Sequence, residues 1–156
     1  MSTSQIDGAG ERSQFPAQLA MLPATAAFTR EFCDRHGIGH DDALRLTLLV
    51  EELFSNTMRH GHGGDSDAPI HITLSADERQ VTLLYEDTAP PFNPLEQSAT
   101  PPASLDATIN SRGVGGLGVH LLFQLASNAR YAYEQGTNRL WLTMERSEAG
   151  PLPARR

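Results

Sequence analysis

Apolar residues recur along this chain with two different periods. From Leu44 to Met58 they fall at helical spacing, through Leu46, Leu48, Leu49, Val50, Leu53 and Phe54. Asp41 or Asp42 is the expected cap of this helix, which runs to about His60 and stops at Gly61, Gly63 and Gly64. An earlier helix opens at Leu22-Pro23, carries Ala27, Phe28, Phe32 and Cys33 inward, and ends at Gly37 and Gly39. Phe15 to Met21 reads as a strand. Past residue 69 the period drops to two. Ile70, Ile72 and Leu74 alternate with polar residues, as do Val81, Leu83 and Tyr85 after a turn at Ala76 to Arg79, which predicts an antiparallel hairpin. A second hairpin is expected from Ala129, Tyr131 and Tyr133, a turn at Gly136-Thr137-Asn138, and Leu140, Leu142 and Met144.

Between the hairpins lie a proline-rich stretch and a glycine-rich one. Five of the ten prolines fall in residues 88–112, which predicts a long irregular segment of the kind that serves as a lid. Gly113, Gly115, Gly116 and Gly118 then lead into an apolar helix with Val119, Leu122, Phe123 and Leu125. The order is strand, helix, helix, hairpin, lid, helix, hairpin. It implies an α+β fold, a two-layer sandwich of about five mostly antiparallel strands with the helices on one face. The expected organisation is a disordered tail over 1–13, one domain over 14–146 with its lid at 88–114, and a frayed tail over 147–156.

Composition narrows the function classes. The 156 residues suffice for one domain with a substantial core. A formal net charge of −7 argues against sequence-independent binding to nucleic acid or to an anionic membrane, both of which need a cationic surface. The single cysteine, Cys33, precludes an internal disulfide and fits a reducing compartment, so a cytoplasmic location is expected. No apolar run approaches eighteen residues, and no basic-then-apolar leader opens the chain, so neither a membrane span nor a secretory signal is expected.

Three features could carry chemistry. Glu52, Asn56 and His60 recur every four residues and share one helix face beside an apolar one. Such a stripe is ordinarily a solvated face, but a carboxylate and a carboxamide one turn apart could also hold a base and a metal ligand. Asp87 closes a strand just before the lid, where a carboxylate either forms a turn or accepts a hydrogen bond from an exocyclic amine. The glycines at 113–118 let backbone approach a ligand, and N–H groups at a helix start favour anions; they could equally cap and hinge the helix. They form neither a Walker A motif nor a Rossmann fingerprint. His60, His62, Asp65, Asp67 and His71 have metal-ligating side chains but match no zinc spacing, so a flexible loop is the better reading.

Taken in order, these features resemble the nucleotide-binding domain shared by gyrase, sensor histidine kinases and MutL (the GHKL or Bergerat-type fold). Within it they are most similar to the small anti-sigma-factor serine kinases of bacteria. The first box pairs a Glu and an Asn on one helix, often followed by His-Gly; here it reads E-L-F-S-N and then T-M-R-H-G. The second begins with Asp and reads D-T-A-P-P-F-N-P. The third is a Gly-Leu-Gly entering a helix, here G-G-L-G-V-H-L-L. The closing hairpin Y-E-Q-G-T-N-R-L-W-L also has the look of this subgroup, and the resemblance covers roughly residues 14–146.

The resemblance implies that Glu52 is the general base, Asn56 the Mg2+ ligand and Asp87 the adenine contact. It places Gly113, Gly115, Gly116, Leu117 and Gly118 around the phosphates of ATP. Ala89 departs from the pattern, standing where the second box has glycine; its methyl restricts positive φ, so weaker ATP binding or a reshaped site is expected. The implied activity is phosphoryl transfer from magnesium-ATP to a serine of an anti-anti-sigma (STAS-domain) partner, together with sequestration of a sigma factor. The implied partners include no nucleic acid and no membrane, and a homodimer is left open. Two other readings stand beside it: a partner-switching module that binds ATP or no nucleotide without useful catalysis, and a kinase or ATPase domain acting on another target.

Overall fold

The period-two segments pair with one another as their alternation demands. In the computed structural model, which describes residues 10–61, 64–98 and 124–147, five strands form one sheet. They are β1 (Glu11–Pro16), β2 (Pro69–Ala76), β3 (Gln80–Asp87), β4 (Asn128–Glu134) and β5 (Thr137–Glu145). Their order across the sheet is β1-β2-β3-β5-β4, and every neighbouring pair is antiparallel. Ile70, Ile72 and Leu74, Val81, Leu83 and Tyr85, and Leu140, Leu142 and Met144 all point to one face, where they are buried.

That face is covered by α1 (Leu22–Arg35) and α2 (His40–Asn56), so the α+β two-layer sandwich expected from the sequence is the fold. Phe32, Cys33, Leu46, Leu49, Val50, Leu53 and Phe54 fill the interface. Burial pushes the Cys33 thiol up to about 11, with Asp34 and Asp42 adding to the shift, so it behaves as a small apolar side chain. The opposite face of the sheet is more polar, and Arg130 lies over the Trp141 ring there, 3.7 Å from its centroid.

Several local expectations are corrected. The first strand is Glu11–Pro16 and not Phe15–Met21; it starts inside the stretch read as a tail. Its own pattern is weakly apolar, and what extends it is the ladder it makes with β2, from Glu11 opposite Leu74 to Pro16 opposite Pro69. Leu19–Met21 is a single tight turn leading into α1. Neither Asp41 nor Asp42 caps α2. The N-cap is Gly39, and Asp42, 2% exposed, turns inward. Its carboxylate accepts hydrogen bonds from the Ser147 backbone (2.8 Å), the Ser147 hydroxyl (2.9 Å) and Arg45 (2.8 Å). Leu44 and Leu48, counted with the apolar face, are exposed.

The second hairpin turns one residue earlier than expected. Gln135 and Gly136 take positive φ (54° and 77°), as a two-residue turn between twisted strands requires, so Thr137 and Asn138 belong to β5. Regular α-helical bonding in α2 ends at Asn56. The helix continues to Gly61 as one wider turn, Thr57–Gly61, of the i→i+5 kind. The segment read as wholly irregular contains a short helix, α3 (Pro94–Ser98). The glycines at 113–118 and most of the predicted lid lie outside the described residues.

Candidate functional site

The last two turns of α2 and the ends of β3 and β5 surround one cleft. Its apolar walls are Leu53, Leu140 and the Tyr85 ring, with Ala89, Pro90 and Phe92 at the rim. Including its open mouth, the cleft holds about 410 Å³. A mostly apolar cleft with a few convergent polar groups is the usual form of a small-molecule site.

Asp87 is the polar centre. It sits at the C-terminal end of β3, 7% exposed, with its carboxylate held from three sides. Oδ1 accepts from Asn138 Nδ2 (2.9 Å) and from the Ala89 N–H (3.2 Å), and Oδ2 accepts from the Thr57 hydroxyl (2.8 Å). A carboxylate has about four acceptor positions, so one remains on Oδ2 for a ligand donor. Burial, aided by the Asp87 charge, holds the Tyr85 hydroxyl well above its ordinary value, so Tyr85 keeps its proton. It donates to Thr57 Oγ1 (2.7 Å), and Thr57 donates onward to Asp87. The chain Tyr85–Thr57–Asp87 therefore runs in one direction.

Asn138 organises the other side. Its Nδ2 also reaches the carbonyls of Ala89 (2.9 Å) and Pro90 (3.2 Å), and its Oδ1 accepts from the Phe92 N–H (3.1 Å) and the Tyr131 hydroxyl. These bonds tie the chain after β3 to the β4–β5 hairpin. Ala89 is 3% exposed, with its methyl in the cleft wall. It does not take the positive φ that the glycine comparison raised as a difficulty, so the alanine carries no backbone strain.

Asn56 lines the cleft, and Glu52 stands one helical turn before it, outside the lining residues; both are buried. Burial raises the Glu52 carboxyl above its ordinary value. The charge and hydrogen bond of Arg59 oppose that shift, and Glu51 adds to it. Asn56 Oδ1 accepts from Arg59 Nη2, whereas the buried Asn56 Nδ2 has no partner among the described residues. An orphaned buried amide is costly, and it points to a ligand that completes it. The carboxamide oxygen also suits a hard cation such as magnesium, which takes one or two protein oxygens and completes its shell from phosphate and water.

The residues at 113–118 expected around phosphates, Gly113, Gly115, Gly116, Leu117 and Gly118, are outside the described residues, as is the His60 side chain. Among the candidates for a metal cluster, Asp65 accepts from the Leu19 N–H (3.0 Å), Asp67 from Gln18 (3.0 Å), and His71 meets Gln14 (3.1 Å). No group of three or more His, Cys, Asp or Glu able to hold a metal occurs among the described residues.

Four contributors were not read from the sequence as site residues: Thr57, Tyr85, Asn138 and Arg59. Tyr85 was legible, since it precedes Asp87 by two on the same strand face. Arg59 was legible too, since seven residues after Glu52 is close to two full turns. Thr57 and Asn138 meet Asp87 only through tertiary contacts, and Asn138 was hidden by placing it in the turn.

Comparison with known proteins agrees with this fold. Over residues 15–144 the sequence matches the family described as the histidine kinase-like ATPase domain. It is 31% identical over 98 residues to the serine/threonine-protein kinase BtrW of Bordetella bronchiseptica, covering 63% of this chain and 67% of that protein. It is 24% identical over 101 residues to the serine-protein kinase RsbW of Bacillus licheniformis, covering 64% of this chain and 63% of that one, just under two thirds of RsbW. The fold is similar to that in the SiaB–SiaC complex from Pseudomonas aeruginosa (TM-score 0.62, 13% identity, 92% of this chain and 93% of that one). It is also similar to the RsbU and RsbW domains of a Mycobacterium tuberculosis protein (TM-score 0.61, 17% identity, 88% of this chain and 32% of that one). No helix among the described residues is long and apolar enough to cross a membrane.

Proposed function

Since the chain belongs to the histidine kinase-like ATPase domain family, we propose that it is a serine protein kinase. In this reading it transfers the γ-phosphoryl group of ATP to a serine of an anti-anti-sigma (STAS-domain) protein and, as an anti-sigma factor, sequesters a sigma factor. One observation carries the reading: Asn56 lines a cleft in which Asp87 keeps one acceptor position, and Glu52 lies one helical turn before Asn56. Asp87 accepts the exocyclic amine of adenine there, while Leu53, Leu140 and Tyr85 enclose the base.

The chemistry is positioning and charge control. Glu52 faces the incoming serine. It orients the hydroxyl and takes its proton as serine Oγ bonds to the γ-phosphorus and the bond to the ADP oxygen breaks. A carboxyl raised by burial is a better base than an ordinary one. Asn56 would hold magnesium through Oδ1, and the ion, when bound, offsets the charge on the phosphates. The glycines at 113–118 would line the phosphates with backbone N–H groups.

A titration of magnesium-ATP into the purified protein tests the site. Binding below millimolar nucleotide is expected, and none at millimolar nucleotide would sink the kinase reading. Glu52→Ala then separates catalysis from binding, with ATP retained and transfer to the partner lost. The buried Ala89 methyl, where the family pattern has glycine, favours a second reading, an ATP-binding or nucleotide-free partner-switching module. That reading is upheld if the unaltered protein transfers no phosphate to any candidate partner.

A further inference from the structure

Arg59 follows Glu52 by seven residues and Asn56 by three, and lies in the wider turn Thr57–Gly61 that continues α2. A single nitrogen, Nη2, meets both: it donates to Asn56 Oδ1 and lies 3.3 Å from Glu52 Oε2. The Arg59 side chain is 37% exposed, so its other donors have access to solvent. One cationic head thus rests on the two groups that the proposed reaction needs.

The chemistry of Asn56 makes this placement consequential. A carboxamide can meet a cation only through its oxygen, and Arg59 already occupies that oxygen. Nδ2, buried and unpartnered, is a donor and offers a cation nothing. A divalent ion at Oδ1 and a guanidinium N–H on the same atom would set two positive charges a few ångströms apart in a partly buried site. Because the arginine head is exposed on one side, it can leave.

We propose that Arg59 is a positioning residue that holds Glu52 and Asn56 in place, and that magnesium must displace it from Asn56 Oδ1. Arg59 thereby sets the magnesium concentration at which nucleotide is bound with its metal. The inference rests on the reading of Asn56 as the metal ligand, and its substitutions leave that residue untouched.

The test follows binding of a fluorescent ATP analogue at fixed concentration while magnesium is varied, in the unaltered protein and in Arg59→Gln, Arg59→Met and Arg59→Lys. The magnesium midpoint is expected to fall about five- to tenfold in the Gln and Met variants, in keeping with a half-exposed charged hydrogen bond, and to return toward the parent value in the Lys variant. Thermal melts establish that each variant is folded; a purely structural role would lower the melts and leave the magnesium midpoint where it was. A midpoint that is unmoved or raised in the folded Gln variant overturns the inference and leaves the nucleotide site standing. If the unaltered protein binds no analogue at any magnesium concentration, the nucleotide site itself is overturned.

Discussion

Asn138 stands directly opposite Asp87 across the β3–β5 ladder, and its Nδ2 donates to Asp87 Oδ1 at 2.9 Å. The two residues are 51 positions apart in the chain, yet one side chain fixes the rotamer of the other. Asn138→Ala would leave the Phe92 N–H and the Ala89 carbonyl without this partner and release Asp87 on one side. A loss of about 1–3 kcal/mol in urea unfolding is expected, with ATP affinity falling about tenfold or more. Asn138→Asp should do worse in binding, because it sets a second carboxylate against the first.

The buried position of Glu52 predicts two pH effects. Transfer requires the ionised carboxylate, so the rate should fall in acid through a midpoint above the ordinary 4.5. Glu52→Gln should lower the rate about 10²–10⁴-fold and abolish that limb. Stability moves the other way. The raised value means the folded state holds this proton more tightly than the unfolded one. The resulting contribution is complete below 4.5 and is lost as pH rises through the folded value. Thermal melts at neutral pH should therefore show Glu52→Gln at least as stable as the parent.

Ala89→Gly restores the residue of the family pattern. The alanine is not at positive φ, and its N–H already binds Asp87, so there is no strain to relieve. Stability should drop by about 0.5–1 kcal/mol from added backbone freedom, and ATP affinity measured by calorimetry should stay within about threefold. A gain of tenfold or more would show that the methyl obstructs the base.

Asp42 offers a control that separates stability from function. It fastens Ser147 to the start of α2, whereas Asn56 is about 21 Å away at the other end of the helix. Asp42→Ala should cost about 2 kcal/mol in denaturant unfolding. ATP affinity should be unchanged below the melting range.

What was legible in the sequence was what local period encodes. Alternation at Ile70–Leu74, Val81–Tyr85 and Leu140–Met144 specified three strands and the face each buries. The spacing of Glu52 and Asn56 specified their shared side of α2. Strand β1 was misplaced because its extension comes from pairing with β2 and not from its own side chains. The network around Asp87 was not legible because its members come from α2, β3 and β5 and meet only when the sheet is closed. Asn138 shows how small the margin is: a turn shifted by one residue moves a side chain from loop to site.

The widened turn at Thr57–Gly61 also bears on how this chain tolerates changes in length. An i→i+5 turn holds one residue more than a regular one, so it acts as a phase adjustment between the helix and the backbone that follows. Removing a single residue there would let the turn relax to ordinary α geometry, so the deletion is taken up within the turn and the backbone after it keeps its place. Thr57 could keep its hydroxyl on Asp87, but Arg59 would lose its alignment with Glu52. A deletion between 57 and 61 therefore alters the geometry of this one turn, with an effect on the site that no substitution at a single position would reproduce.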